Sequence, residues 1–251
     1  EAFQSALELE ALNGYARAGL GSILAEEGKF DEAEEEFRIA NRFEPGHPLL
    51  MANLAGLYDK KREYDKAKAL AEQALAIDAD CAPALNNLGL IVKHLGDVEK
   101  AMELFERVLK SQPGYLACRI NLALCYLARQ EEEKAAQQFE EILKYNPSVP
   151  SALVNLGVYH SKRGRPDEAL QLFRRALQVK PDYALAHAHY GRALLPRGQA
   201  REALFHLKRS LELEPDQPGH EELEYQVRVL EERLGAQASP SPTTQAESEG
   251  D

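Results

Sequence analysis

Apolar and small residues return along this chain every 34 positions, in a pattern that places two amphipathic helices in each period. Ala33, Ala67, Ala101, Ala135, Ala169 and Ala203 mark the spacing without a slip. Thirteen or twelve residues before each lies an apolar–small pair: Leu20-Gly21, Leu54-Ala55, Leu88-Gly89, Leu122-Ala123, Leu156-Gly157 and Tyr190-Gly191. Four residues after it come Phe37, Phe105, Phe139, Phe173 or Leu207. A turn carries Gly28, Gly96, Gly164 or Gly198, and Pro45, Pro113, Pro147, Pro181 and Pro215 close the units. Each feature has a mechanical reason. Helices that cross closely need a residue without bulk, and an aromatic four positions on lies on the same face and fills the layer. Glycine can take the left-handed conformation that ends a helix, and proline cannot continue one. Six units follow, at 14–47, 48–81, 82–115, 116–149, 150–183 and 184–217. A helical hairpin of this size cannot bury its apolar face alone and must stack on its neighbours.

These columns resemble the tetratricopeptide repeat (TPR) family, whose pattern is small residues, an aromatic and a terminal proline at a 34-residue period. The resemblance implies an all-α, right-handed superhelical solenoid. Departures are few: Ala71 replaces the aromatic and Ala79 the proline in the second unit, and Pro196 should shorten the first helix of the sixth by about a turn. Residues 1–13 fit the second helix of a truncated repeat, because Phe3 and Ala6 fall one period before Phe37 and Ala40. The chain begins without Met, so more is expected upstream. After Pro215 the period fades. Residues 218–235 read as a capping helix with Leu223, Val227, Leu230 and Leu234 on one stripe and Gly235 as its end. The Ser/Pro/Thr-rich, acidic stretch 236–251 is expected to be disordered. Ser239 and Ser241 precede prolines, a setting for phosphorylation or simply for a solubilising tail.

Composition narrows the partners. The 251 residues carry a formal charge of -11, which disfavours nucleic acid, since phosphate needs a dense basic face. No run of 18 apolar residues is present to span a membrane. Of three cysteines, Cys118 and Cys125 stand seven apart on one expected helix, about 10 Å along its axis and too far for a disulfide. Cys81 is expected in a loop, and the odd count leans to a reducing, cytoplasmic compartment.

The resemblance also implies that the first helix of each unit lines a concave groove. The sixth position of each unit then points inward: Gly19, Asn53, Asn87, Asn121, Asn155, His189. A side-chain amide offers an acceptor and two donors, so one asparagine can grip one peptide unit both ways without reading its side chain. The row resembles the asparagine ladder in the TPR region of O-linked N-acetylglucosamine transferase, which clasps extended polypeptide. The alternative is that these amides bond to the neighbouring unit or to water. Three positions on, Leu90, Leu124 and Val158 form an apolar strip that Ile120 and Leu127 extend. Lys60, Lys93, Lys162 and Arg192 stand at the last turns or the end of the groove, with His94 nearby and Asp59 and Glu26 diluting their charge. The expected ligand is an extended peptide with apolar side chains centrally and acidic groups beside them.

Other chemistries lack their motifs. There is no phosphate-binding glycine loop, Cys-x-x-Cys or His-Glu-x-x-His, so no cofactor, metal or catalytic site is expected. His187 and His189 are two apart on a helix and point to different sides. The glutamate runs at 34–36 and 131–133 read as solvated helix faces. The lysine and asparagine that a chaperone-tail carboxylate clamp needs at positions five and nine are missing, position five holding Ala18, Ala52, Asn86, Ile120, Val154 and Ala188. The leading expectation is a non-enzymatic scaffold that binds an extended peptide. Two alternatives stand beside it. One is the substrate-selecting arm of a larger enzyme such as a glycosyltransferase. The other is a scaffold that self-assembles through its N-terminal edge.

Overall fold

The computed structural model describes residues 14–216 and 219–238. Both the expected half-repeat at 1–13 and the tail beyond 238 lie outside these residues. Thirteen α-helices and no strand occur among the described residues. They form six hairpins and one last helix: α1 (Gly14–Glu26) with α2 (Phe30–Phe43), α3 (Pro48–Lys60) with α4 (Tyr64–Ile77), α5 (Ala82–His94) with α6 (Val98–Ser111), α7 (Leu116–Ala128) with α8 (Glu132–Tyr145), α9 (Pro150–Lys162) with α10 (Pro166–Val179), α11 (Ala184–Leu194) with α12 (Ala200–Leu213), and α13 (His220–Ala238). The chain forms two compact units that divide inside α8, between residues 138 and 139. In the first, α5 packs on both helices of the hairpin before it, α3 and α4. In the second, α11 packs in the same way on α9 and α10, and α13 packs on α12.

The small-residue column is where the two helices of a hairpin cross. A Cβ added at Gly89 would lie 2.5 Å from the Phe105 ring, and one at Gly157 2.5 Å from the Phe173 ring. At Gly191 the clash would be with Leu207, at 2.9 Å. The second hairpin trades volumes: Ala55 faces a layer where Ala71 stands in for the ring, and both are fully buried. Ring and glycine, or alanine and alanine, fill the same space, which is why the missing aromatic does not break the stack.

The turn column is stricter than the glycines show. Gly28, Gly96, Gly164 and Gly198 take positive φ, and Arg62 and Gln130, at the same place in the other two units, do so as well at φ 61°. The left-handed turn is therefore a property of the repeat, and two units meet it with a residue that a Cβ penalises. Pro196 shortens α11 as expected in direction but by two residues rather than a full turn: α11 has 11 residues against 13 in the other first helices, and a 3₁₀ turn, Leu195–Arg197, follows it.

Two expectations need correction. Gly235 does not end the last helix, which runs on to Ala238. Ala236, Gln237 and Ala238 are good helix formers, and one internal glycine costs only about 1 kcal/mol. The acidic run at 34–36 is not a plain solvated face either. Glu34 accepts from Tyr58 and Lys61 at 2.9 Å each, and Glu36 pairs with Arg17 at 2.9 Å. Lys61, first among the causes, holds the Glu34 carboxyl below its ordinary value. These carboxylates tie one helix to the next.

Candidate functional site

The side chains of Asn53, Asn87 and Asn121 are half-buried on α3, α5 and α7 of the first unit. Their amides are partly engaged. Asn87 Nδ2 donates to the Ala52 carbonyl on α3 at 2.7 Å. Asn121 Nδ2 donates to Asn86 Oδ1 at 3.0 Å, and Asn86 Nδ2 donates to Asn87 Oδ1 at 3.2 Å. The buried Cys118 thiol also donates to Asn86 Oδ1, at 3.2 Å. A chain of amides thus crosses three hairpins, and Asn86, singled out in sequence only as the wrong residue for a clamp, is its hub. Its signal was the Asn-Asn pair at 86–87, which no other unit has. Room for this crossing comes from Gly56: a Cβ there would sit 3.1 Å from Asn87 Nδ2.

Asn53 forms no side-chain hydrogen bond among the described residues. By the donor and acceptor count of an amide, Asn87 keeps one N–H and one lone pair, and Asn121 keeps one N–H and its whole oxygen. Each of the three can still serve a ligand as donor and acceptor. In the second unit, Asn155 donates to the Ser151 carbonyl of its own helix at 2.8 Å, which leaves its oxygen and one N–H.

The apolar strip divides. Leu124 is 38% exposed, whereas Leu90 and Val158 lean on the cores of their own units. Ile120 and Leu127 are half-buried. Among the cations, Lys60 and Lys162 are exposed and Lys93 is half-buried. His94 Nδ1 meets Asp59 Oδ1 at 2.8 Å, so that acid is occupied by its neighbour on the next hairpin. In the second unit, Arg192 Nε donates to Gln226 Oε1 of α13 at 3.0 Å. His189 stacks on Phe173 with ring centres 5.7 Å apart and planes 18° apart. Burial, aided by the Arg192 charge, pushes its pKa down to about 4, so at neutral pH it is an uncharged donor–acceptor.

His187 and His189 point apart, as expected. His187 contacts the Pro181 carbonyl through Nε2 and His206 Nδ1 through Nδ1, each at 2.8 Å. With Nε2–H donated to the carbonyl, His187 Nδ1 is an acceptor and His206 supplies the proton. Tyr190 packs edge-on against His206 at 4.8 Å and accepts from Arg174. Sequence reading missed this cluster, because its members lie on both helices of a hairpin and on the one before. All three cysteines are free and buried, and burial lifts the Cys118 thiol to about 12, far from a reactive thiolate. Among the described residues no three His, Cys, Asp or Glu groups are placed to hold a metal ion, and no helix is long and apolar enough to cross a membrane.

The tetratricopeptide repeat pattern matches residues 24–89, 94–156 and 161–223. No curated protein matches the chain in sequence. Several solved structures share the fold. The Pseudomonas aeruginosa pilF structure superposes with a TM-score of 0.71 at 21% identity, over 84% of this chain and 96% of that one. A chain of the APC/C heterotetramer Cut9–Hcn1 reaches 0.73 at 16% identity, over 91% and 45%. MamA of AMB-1 reaches 0.51 at 28% identity, over 66% and 98%. With stacked hairpins, the small-residue crossings and the matched repeats together, the chain belongs to the tetratricopeptide repeat family, and its repeats fit a scaffold for protein interaction.

Proposed function

We propose that the chain holds an extended peptide segment of a protein partner along the first helices of its hairpins. In the first unit Asn53, Asn87 and Asn121 grip the peptide backbone and Leu124, with Leu90, receives apolar side chains; in the second, Asn155 and Val158 offer the same two kinds of group. Lys60, Lys93, Lys162 and Arg192 favour acidic groups beside them, and the neutral His189 offers a hydrogen bond. One observation carries this reading. Every asparagine of the row keeps an unengaged donor and acceptor on a half-exposed side chain, and the exposed Leu124 stands one turn beyond Asn121 on the same helix.

The engaged amides decide how to test it. Asn87 and Asn121 support the stack, so their loss would confuse binding with folding. Asn53 supports nothing else. A peptide selected from a random display library on the full chain should bind Asn53→Ala two- to tenfold more weakly, the worth of about one hydrogen bond, with no change in helicity or melting. Leu124→Asp should weaken it further by placing a charge on the apolar strip. Selected peptides that bind both variants as tightly as the native chain would place binding on another face.

A further inference from the structure

Arg192 and Gln226 are one period apart, 34 residues, although the repeat signature fades between them. The last helix therefore keeps the spatial register of a first helix, and its position-nine residue meets that of the unit before. The contact orders Arg192. Gln226 Nε2 donates to Glu222 Oε1 at 2.8 Å, so its oxygen must face Arg192, and that oxygen accepts from Nε at 3.0 Å. A guanidinium held through Nε presents its two Nη groups as a fixed pair, the geometry that grips a carboxylate with two parallel bonds. No hydrogen bond or ion pair engages either Nη among the described residues. His189, one turn back on the same helix, is neutral and adds no repulsion toward a cation or anion.

Gln226 also lines a cleft of about 800 Å³ whose lining joins apolar Leu195, Tyr225 and Val229 to charged Arg201, Glu202 and Arg233. Tyr225 and Val229 are exposed there. We propose that this corner reads an acidic side chain of the bound peptide through Arg192, with a neighbouring bulky apolar side chain in the cleft, and that Gln226 is the positioning residue. The inference rests on the peptide-binding reading above and gives it a direction: the acidic–apolar pair enters at the last hairpin.

The test uses the display-selected peptide and its analogue in which each acid becomes the amide. The native chain should prefer the acidic form on the order of tenfold. Arg192→Gln should abolish the preference. Arg192→Lys, which keeps the charge but has no Nε–H for Gln226, should retain only part of it. Gln226→Ala should shrink the preference for the acidic form over the amide analogue. A Gln226→Ala variant that loses both peptides equally would reduce Gln226 to a structural prop, and a preference that survives Arg192→Gln would overturn the proposal. Peptides that need Asn53 but ignore acids sink this inference alone; peptides that also ignore Asn53 sink the groove reading with it.

Discussion

The two units fill the first helices of their hairpins with different chemistry. In the first, the inner column is knitted across hairpins by neutral amides, from Asn121 through Asn86 and Asn87 to the Ala52 carbonyl. In the second, Asn155 turns back on its own helix, and imidazoles and a guanidinium occupy the last hairpin: His189 on Phe173, His187 on His206, Arg192 on Gln226. The fold therefore fixes where a side chain stands but not what it does there. An amide network is blind to pH, and an imidazole cluster is not.

Acid should separate the units most strongly. His189 and His206 both have folded values near 4 against an ordinary 6.5, His189 through burial and then Arg192, His206 through burial and then His187. A lowered histidine value means the unfolded chain binds the proton first. Stability is thus full above pH 6.5 and is lost as pH falls from 6.5 toward 4. At about 1.4 kcal/mol per unit, His189 alone accounts for roughly 3 kcal/mol, and the more solvated His206 adds less. Thermal melts at pH 7 and pH 4.5 should show the loss, and His189→Gln should flatten it. Glu34 of the first unit has a lowered carboxylate value, so its contribution persists down to about pH 4.5 and fades only below. Equal acid sensitivity in His189→Gln and the native chain would erase the distinction.

The crossings come next. Gly89→Ala and Gly157→Ala each force a methyl into a phenylalanine ring and should cost about 1–3 kcal/mol by chemical denaturation. Both units should respond alike, because this column is common to them. Smaller is the amide effect: Asn87→Ala leaves the crossing over Gly56 unbonded and should cost about 1 kcal/mol, while Asn53→Ala should cost nothing measurable. If both substitutions were neutral, the network in the first unit would be decoration. Smallest, and opposite in sign, are Arg62→Gly and Gln130→Gly, which relieve a left-handed backbone and should raise stability by about 1 kcal/mol or less, seen as a modest rise in Tm.

Much of this was legible in the chain. The 34-residue spacing of Ala33 to Ala203 gives the hairpins, and Pro196 gives the shortened α11. Periodicity reports which positions are buried together, so cores are read well. It reports poorly on polar groups, whose partners depend on rotamers and on residues two helices away. Asn86 and His206 are unremarkable one by one, and only stacking makes them a hub and a pair. Gly235 does not stop the last helix, because the residues after it favour helix. Gln226 was hidden because the repeat signature fades before its register does.

The side-chain NH₂ signals of Asn53, Asn87, Asn121 and Asn155 in the NMR spectrum of the full chain offer the sharpest view of peptide capture. On saturation with a selected peptide, all four pairs should shift together, Asn53 most because it starts without a protein partner. Four unmoved pairs beside a shifted set elsewhere would show that the row only braces the stack.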